Sequence, residues 1–298
     1  MTEDQPDNSV GTARVMTAMG FAVLALSFSS IFVTGLERAE VPPLVIAFYR
    51  MAIATAILLP ASIILKRTEI TALVRKDLGL LALGGLCLAV HFAAWITSLR
   101  YVSIATSIVL VNSHPLFVVI ASYFFLGERP ARRGLIGTAV GLSGMAIMSY
   151  DAVINVELEL KGDALALLGA LAVVGYFIVG RKARTRMSLL GYVTPLYAAC
   201  SLFLLGVLLI KGDSLTPYNS SIWLLLVALA IIPTIIGHTV FNWALKHVRP
   251  TAVSLAFLGE PVIASFLALI FFAQHPPATT LIGGALVLAG VYLATSRR

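Results

Sequence analysis

Glu260 is the only carboxylate that lies deep inside an apolar run of this sequence, between Ala256-Phe257-Leu258-Gly259 and Pro261-Val262-Ile263. A charge at such a depth in hydrocarbon costs about 3 kcal/mol or more unless it is paired or hydrated. Three roles fit it: binding a substrate amine, carrying a proton for coupling, or hydrogen bonding to a neighbouring helix. His91, His114 and His238 also fall within apolar stretches, and imidazoles titrate near neutral pH. No carboxylate or thiol is spaced to complete a metal site with them, so no metal is expected. His91 and Trp95 are four residues apart, as are His238 and Asn242, which puts each pair on one helix face. Imidazole, indole and amide together suit a solute with polar and apolar parts. Trp95 and Trp243 could equally anchor at a membrane interface. With Asn112 and the mid-run Tyr176, the candidate substrate-binding set is His91, Trp95, Asn112, Tyr176, His238, Asn242 and Glu260. Arg50, about eight residues into an apolar run, is expected to snorkel outward or pair with a carboxylate, a structural role more than substrate contact.

Two prolines could make the walls of such a site move. Pro115 and Pro261 each fall about halfway along an apolar run, preceded by Asn112-Ser113-His114 and Gly259-Glu260. A mid-helix proline removes a hydrogen bond and clashes with the preceding turn, and a hydrated cavity or a solute can satisfy the freed carbonyl. Both are therefore candidate conformational hinges, with a simple packing kink as the alternative.

The elements that position these residues are apolar segments near membrane length. About 20 apolar residues cross about 30 Å of hydrocarbon as a helix. That ruler gives ten candidates: 15–36, 43–65, 78–99, 102–126, 134–150, 163–180, 189–210, 221–245, 250–273 and 279–295. The fold class expected is an all-α membrane protein. Lys and Arg divide 16 to 4 between the two sets of connectors, which predicts that both termini are cytoplasmic. The first apolar run is too long for a signal-peptide core, so it is expected to stay as a helix behind a cytoplasmic tail, residues 1–14.

The chain also repeats. A shift of 146 residues carries Pro115 onto Pro261, Pro130 onto Pro276, Leu135-Ile136-Gly137 onto Leu281-Ile282-Gly283, Gly144 onto Gly290 and Val102 onto Val248. Two five-helix halves, 15–150 and 163–295, must then enter the membrane from opposite sides. Inverted repeats of this kind place a solute site between the halves near the midplane. Gly137-x-x-x-Gly141 followed by Gly144 is a close-packing motif, within the bundle or at a dimer seam.

Composition supports the membrane reading. Of 298 residues, 59% are hydrophobic and 12% charged, against about a quarter charged in soluble domains; the mean hydropathy is +0.96. The net charge of +7 sits in short connectors, where it reads as a topology signal and not as a nucleic-acid surface. Cys87 and Cys200 lie within apolar runs and suggest no disulfide framework. No phosphate-binding loop, zinc-protease motif or nucleophile elbow occurs, so ATP-driven pumping and hydrolysis are weak readings and no cofactor is expected.

The chain resembles the drug/metabolite transporter superfamily, in the form built from two EamA repeats. The resembling residues are Phe48-Tyr49-Arg50-Met51-Ala52, Ser98-Leu99-Arg100-Tyr101-Val102-Ser103-Ile104-Ala105, His114-Pro115-Leu116, Leu126-Gly127-Glu128-Arg129, Glu260-Pro261-Val262 and Leu281-Ile282-Gly283-Gly284. Within that superfamily the chain is similar to bacterial YddG-type amino-acid exporters. The resemblance implies ten helices, inverted halves, a central cavity and export of amino acids or related metabolites across the bacterial inner membrane. Gln274 departs from it, standing where the match to Glu128 calls for Glu. The expected partners are a small-molecule substrate and the lipid bilayer, with the chain a monomer or a homodimer. A membrane receptor or structural subunit, an importer, a drug transporter and an intramembrane enzyme are the alternatives.

Overall fold

The computed structural model describes residues 11–102, 104–129, 131–148, 150, 159–212, 214–215, 218–273 and 275–295. Pro130, Ser103, Gln274 and most of the 1–14 tail lie outside the described residues. The described elements are all helical, with no strand among them: α1 Thr12–Arg38, α2 Pro43–Thr71, α3 Arg75–Ser98, α4 Ile104–Val111, α5 His114–Leu126, α6 Arg132–Met148, α7 Leu160–Arg184 and α8 Leu189–Lys211. Then come α9 Ser220–Leu229, a π-helical segment Ala230–His238, α10 Thr239–His247, α11 Pro250–Phe257, α12 Gly259–Phe272 and α13 Ala278–Thr295.

Eight stretches are long and apolar enough to cross a membrane: Ala13–Arg38, Pro43–Thr71, Arg75–Ser98, Thr106–Leu126, Leu160–Arg184, Leu189–Lys211, Ser220–His247 and Pro250–Phe272. Ala278–Ala294 is a shorter apolar helix. α6, at 17 residues, spans about 26 Å at about 1.5 Å per residue. Large apolar side chains cover the outside, with Ile210 88%, Ile64 78% and Phe124 74% exposed. Water would penalise that surface, and lipid accepts it. The interior instead gathers polar groups, including Arg50, Asn112, Asn242, Ser254 and Thr234.

Glycines set the closest approaches. A methyl on Gly144 would sit 2.6 Å from the Gly283 carbonyl oxygen, and one on Gly137 would sit 2.6 Å from that of Gly290. The motif therefore packs α6 antiparallel on α13 within the bundle. The 146-residue shift exchanges these two pairs, as a two-fold relation between the halves requires. α3 and α7 also run antiparallel, with Gly169 against the His91 carbonyl and Trp95, and Gly175 against Cys87. At the equivalent place in the second half, Gly237 lies against Leu26 and the Ala22 carbonyl.

The two expected mid-helix kinks take a different form. The helix breaks ahead of each proline, at Asn112-Ser113 and at Leu258, so Pro115 and Pro261 open new helices α5 and α12. A missing N–H costs little in a first helical turn. The carbonyl that Pro115 leaves free, that of Val111, is 3.0 Å from Nδ1 of His114. The protein's own imidazole satisfies it, not a solute.

Candidate functional site

At the centre of the helices, α1, α2, α3, α4, α5, α7, α11 and α12 and the π segment enclose a cavity of about 40 Å³. Arg50, His91, Trp95, Asn112, His114, His238 and Glu260 line it, together with Ser29 and the apolar Leu26, Phe92, Ile108, Val173 and Phe257. A water needs about 10–15 Å³ by the same kind of measure, so this space holds a few waters and no amino acid. Larger cavities open towards the two faces. One of about 1060 Å³ lies where α3 and α5 meet the Lys/Arg-rich connectors, edged by Lys76, Arg129, Arg181, Lys182, Arg186 and Arg249. There Arg181 pairs with Glu128 at 3.0 Å and donates to the Leu245 carbonyl at 2.8 Å. Another, about 210 Å³, lies between the ends of α1 and α6 and along α12, and reaches Ile108 in the central wall; a further one, about 480 Å³, lies between α1, α12 and α13.

Each polar group in the chamber is held by a local feature of its helix. His91 Nδ1 is 2.9 Å from the Gly169 carbonyl oxygen. An oxygen only accepts, so Nδ1 carries the proton and Nε2 is left as an acceptor. Trp95 stacks with His91 at 6.3 Å and 11°. Its 6% exposure excludes an interfacial anchor. Asn112 donates to the Ile108 carbonyl at 3.0 Å within the α4 turn. His238 closes the π segment and meets Phe92 edge-on at 5.4 Å. Glu260 follows Gly259 in the first turn of α12, where Ser27 donates to its backbone carbonyl at 3.2 Å. Trp95 Nε1, His114 Nε2 and His238 Nδ1 are buried with no hydrogen-bond partner among the described residues.

Five of the seven expected binding residues, His91, Trp95, Asn112, His238 and Glu260, therefore meet around one space. Tyr176 and Asn242 do not line it. Asn242 Nδ2 donates to the Tyr176 hydroxyl, to the His238 carbonyl at 2.9 Å and to the Tyr197 hydroxyl at 3.4 Å, which also meets Thr239 Oγ1 at 3.2 Å. They form the layer behind His238.

Arg50 corrects the sequence reading. It neither snorkels, at 1% exposure, nor pairs with a carboxylate among the described residues. Nε donates to Thr234 Oγ1 at 2.8 Å, Nη1 donates to Ser29 Oγ at 3.0 Å, and Cζ stands 4.1 Å over the Phe92 ring. The signal was present: a cation inside an apolar run is as costly as an anion. Thr234 was not foreseeable as its partner, because the π segment sets its position. Around Pro233 and Gly237 the turn widens to i→i+5 bonding, and Thr234 Oγ1 donates to the Leu229 carbonyl five residues back at 3.0 Å.

The chain belongs to the EamA-like transporter family, within the drug/metabolite transporter superfamily: the family's sequence model matches it twice, over residues 15–150 and 160–296. An uncharacterized transporter of Archaeoglobus fulgidus is 26% identical over 96% of this chain and 98% of its own. A probable terminal-alkyne amino-acid exporter of Streptantibioticus cattleyicolor is 28% identical over 74% of each. A pseudopaline exporter of Pseudomonas aeruginosa is 25% identical over 87% of this chain and 88% of that one. A solved crystal structure superposes with a TM-score of 0.79 over 95% of this chain and 96% of the other, at 20% identity, a likeness of fold.

Proposed function

We propose that this EamA-like transporter exports amino acids or related small metabolites across the bacterial inner membrane by alternating access. In this reading ten helices form two inverted halves, 15–150 and 163–295, with both termini cytoplasmic. The observation that carries it is the polar central chamber set between cavities that open at opposite faces. A solute moves between those faces when first one side and then the other opens onto the chamber. His91, Trp95, Asn112, His238 and Glu260 touch the solute, while Tyr176 and Asn242 brace the wall behind His238. The helix breaks ahead of Pro115 and Pro261 act as the pivots.

The names of the amino-acid and pseudopaline exporters support export of small metabolites. Purified protein in proteoliposomes with a panel of radiolabelled amino acids tests the reading. Saturable flux of chemically unchanged solute is the expected result. A chain that converts the solute, or that gives only the leak of empty liposomes across the whole panel, refutes it.

A further inference from the structure

We propose that Arg50 and Glu260 read the two ends of a zwitterion, the guanidinium taking a carboxylate and the Glu260 carboxylate taking an ammonium. The proposal rests on the exporter reading, in which the chamber widens as one side opens onto it, and assigns the two residues that read the charged ends of its substrate. Arg50 is the one cation and Glu260 the one carboxylate lining the central cavity among the described residues. They come from opposite halves of the chain, α2 and α12, and they form no ion pair with each other or with any other described residue. A buried pair kept only for stability closes on itself, because two separated charges in a low-dielectric interior each retain most of their desolvation cost. Here something else holds the guanidinium. Thr234 and Ser29 fix Nε and Nη1 and Phe92 lies beneath the plane, which leaves Nη2 without a hydrogen-bonding partner among the described residues. Neutral acceptors orient the cation without discharging it, so its charge stays available to a ligand.

The balance of charge in the chamber then selects the solute. An ammonium set beside Glu260 and a carboxylate set beside Arg50 each find a partner in the same lining, so a zwitterion satisfies both groups at once. A simple carboxylate leaves Glu260 bare, and a simple amine leaves Arg50 bare, each in a site poor in water. Leu26, Ile108, Val173 and Phe257 supply the remaining apolar wall for a side chain.

Calorimetric binding to the purified full chain in detergent at neutral pH tests this. The probes are alanine, leucine and phenylalanine, each beside its desamino acid and its decarboxylated amine. Wild type is expected to bind at least one amino acid at least tenfold more tightly than either of its analogues. Glu260→Gln should abolish discrimination against the desamino acid while keeping that against the amine. Arg50→Gln should do the converse, and Arg50→Lys, which keeps the charge, should retain discrimination against the amine. If Arg50→Gln does not fold, the Arg50→Lys and Glu260→Gln pair carries the test. Substitutions that weaken all probes alike, a wild type that prefers an analogue, or no binding of any amino acid overturn the zwitterion assignment. The exporter reading survives each of these if liposome flux remains saturable, and it fails separately if flux is absent.

Discussion

α3 and the span Ser220–His247 occupy equivalent places in the two halves and are built differently. α3 is regular from Arg75 to Ser98, and its histidine is tied to a carbonyl of α7. The second-half span carries nine π-helical residues around Pro233 and Gly237, and its histidine keeps an unpartnered Nδ1. The repeat is offset by 146 residues at the prolines and glycines, yet His91 corresponds to His238 at 147, and so does Trp95 to Asn242. A π turn takes up one extra residue, which accounts for the slip. The extra residue returns the histidine to the cavity and presents Thr234 to Arg50. One half thus contributes a fixed wall, and the other contributes the turn that holds a buried cation in place.

The most severe way to break this contrast is to delete Ile235, restoring α-helical spacing and turning His238 by about 100° relative to the preceding turns. Liposome flux should fall to background while the protein still elutes as a single species. Flux above half of wild type would remove the π segment from the functional account. The glycines sharpen the contrast next. A methyl at Gly237 would meet Leu26 at 2.9 Å, whereas at Gly169 it would meet ordinary contacts at 3.4 Å. Gly237→Ala should therefore cost about 1–3 kcal/mol by overpacking and Gly169→Ala close to nothing, read as thermal unfolding midpoints in detergent. Thr234→Val strips Arg50 Nε of its acceptor and should cost about 1–2 kcal/mol; Ser29→Ala should cost less, since Nε stays bonded. The smallest effect separates the histidines. His91→Phe unpairs the Gly169 carbonyl and should lower stability by about 0.5–1.5 kcal/mol, while His238→Phe should lower flux more than the unfolding midpoint.

Much of the architecture was legible because lipid imposes a simple ruler: long apolar runs, basic connectors and a repeating proline-glycine pattern appear without any tertiary information. α6 and α13 strain that ruler, being short and shaped by each other's glycines as much as by hydrocarbon thickness. The site was legible where cost announces it, as at Glu260, and where i,i+4 spacing sets a face, as for His91 with Trp95. Asn242 obeyed the same spacing and still turned away, because the buried hydroxyls of Tyr176 and Tyr197 compete for its amide. Arg50 was misread because a sequence shows a charge but not that its partners are two hydroxyls and a phenyl face. The π turn left one trace, the single-residue slip between the histidines, and no hydrophobic period announces such a turn.

The crossed glycines of α6 and α13 carry a mechanical consequence. Backbone lies close on backbone at Gly144 and Gly283 and again at Gly137 and Gly290, with Ala294, Leu286 and Met148 packed tightly beside them. Two rods locked at two points neither slide nor twist past each other, so this pair serves as the keel of the molecule. Any rocking that exposes the chamber has to be carried by the other helices, swinging about a keel that stays still.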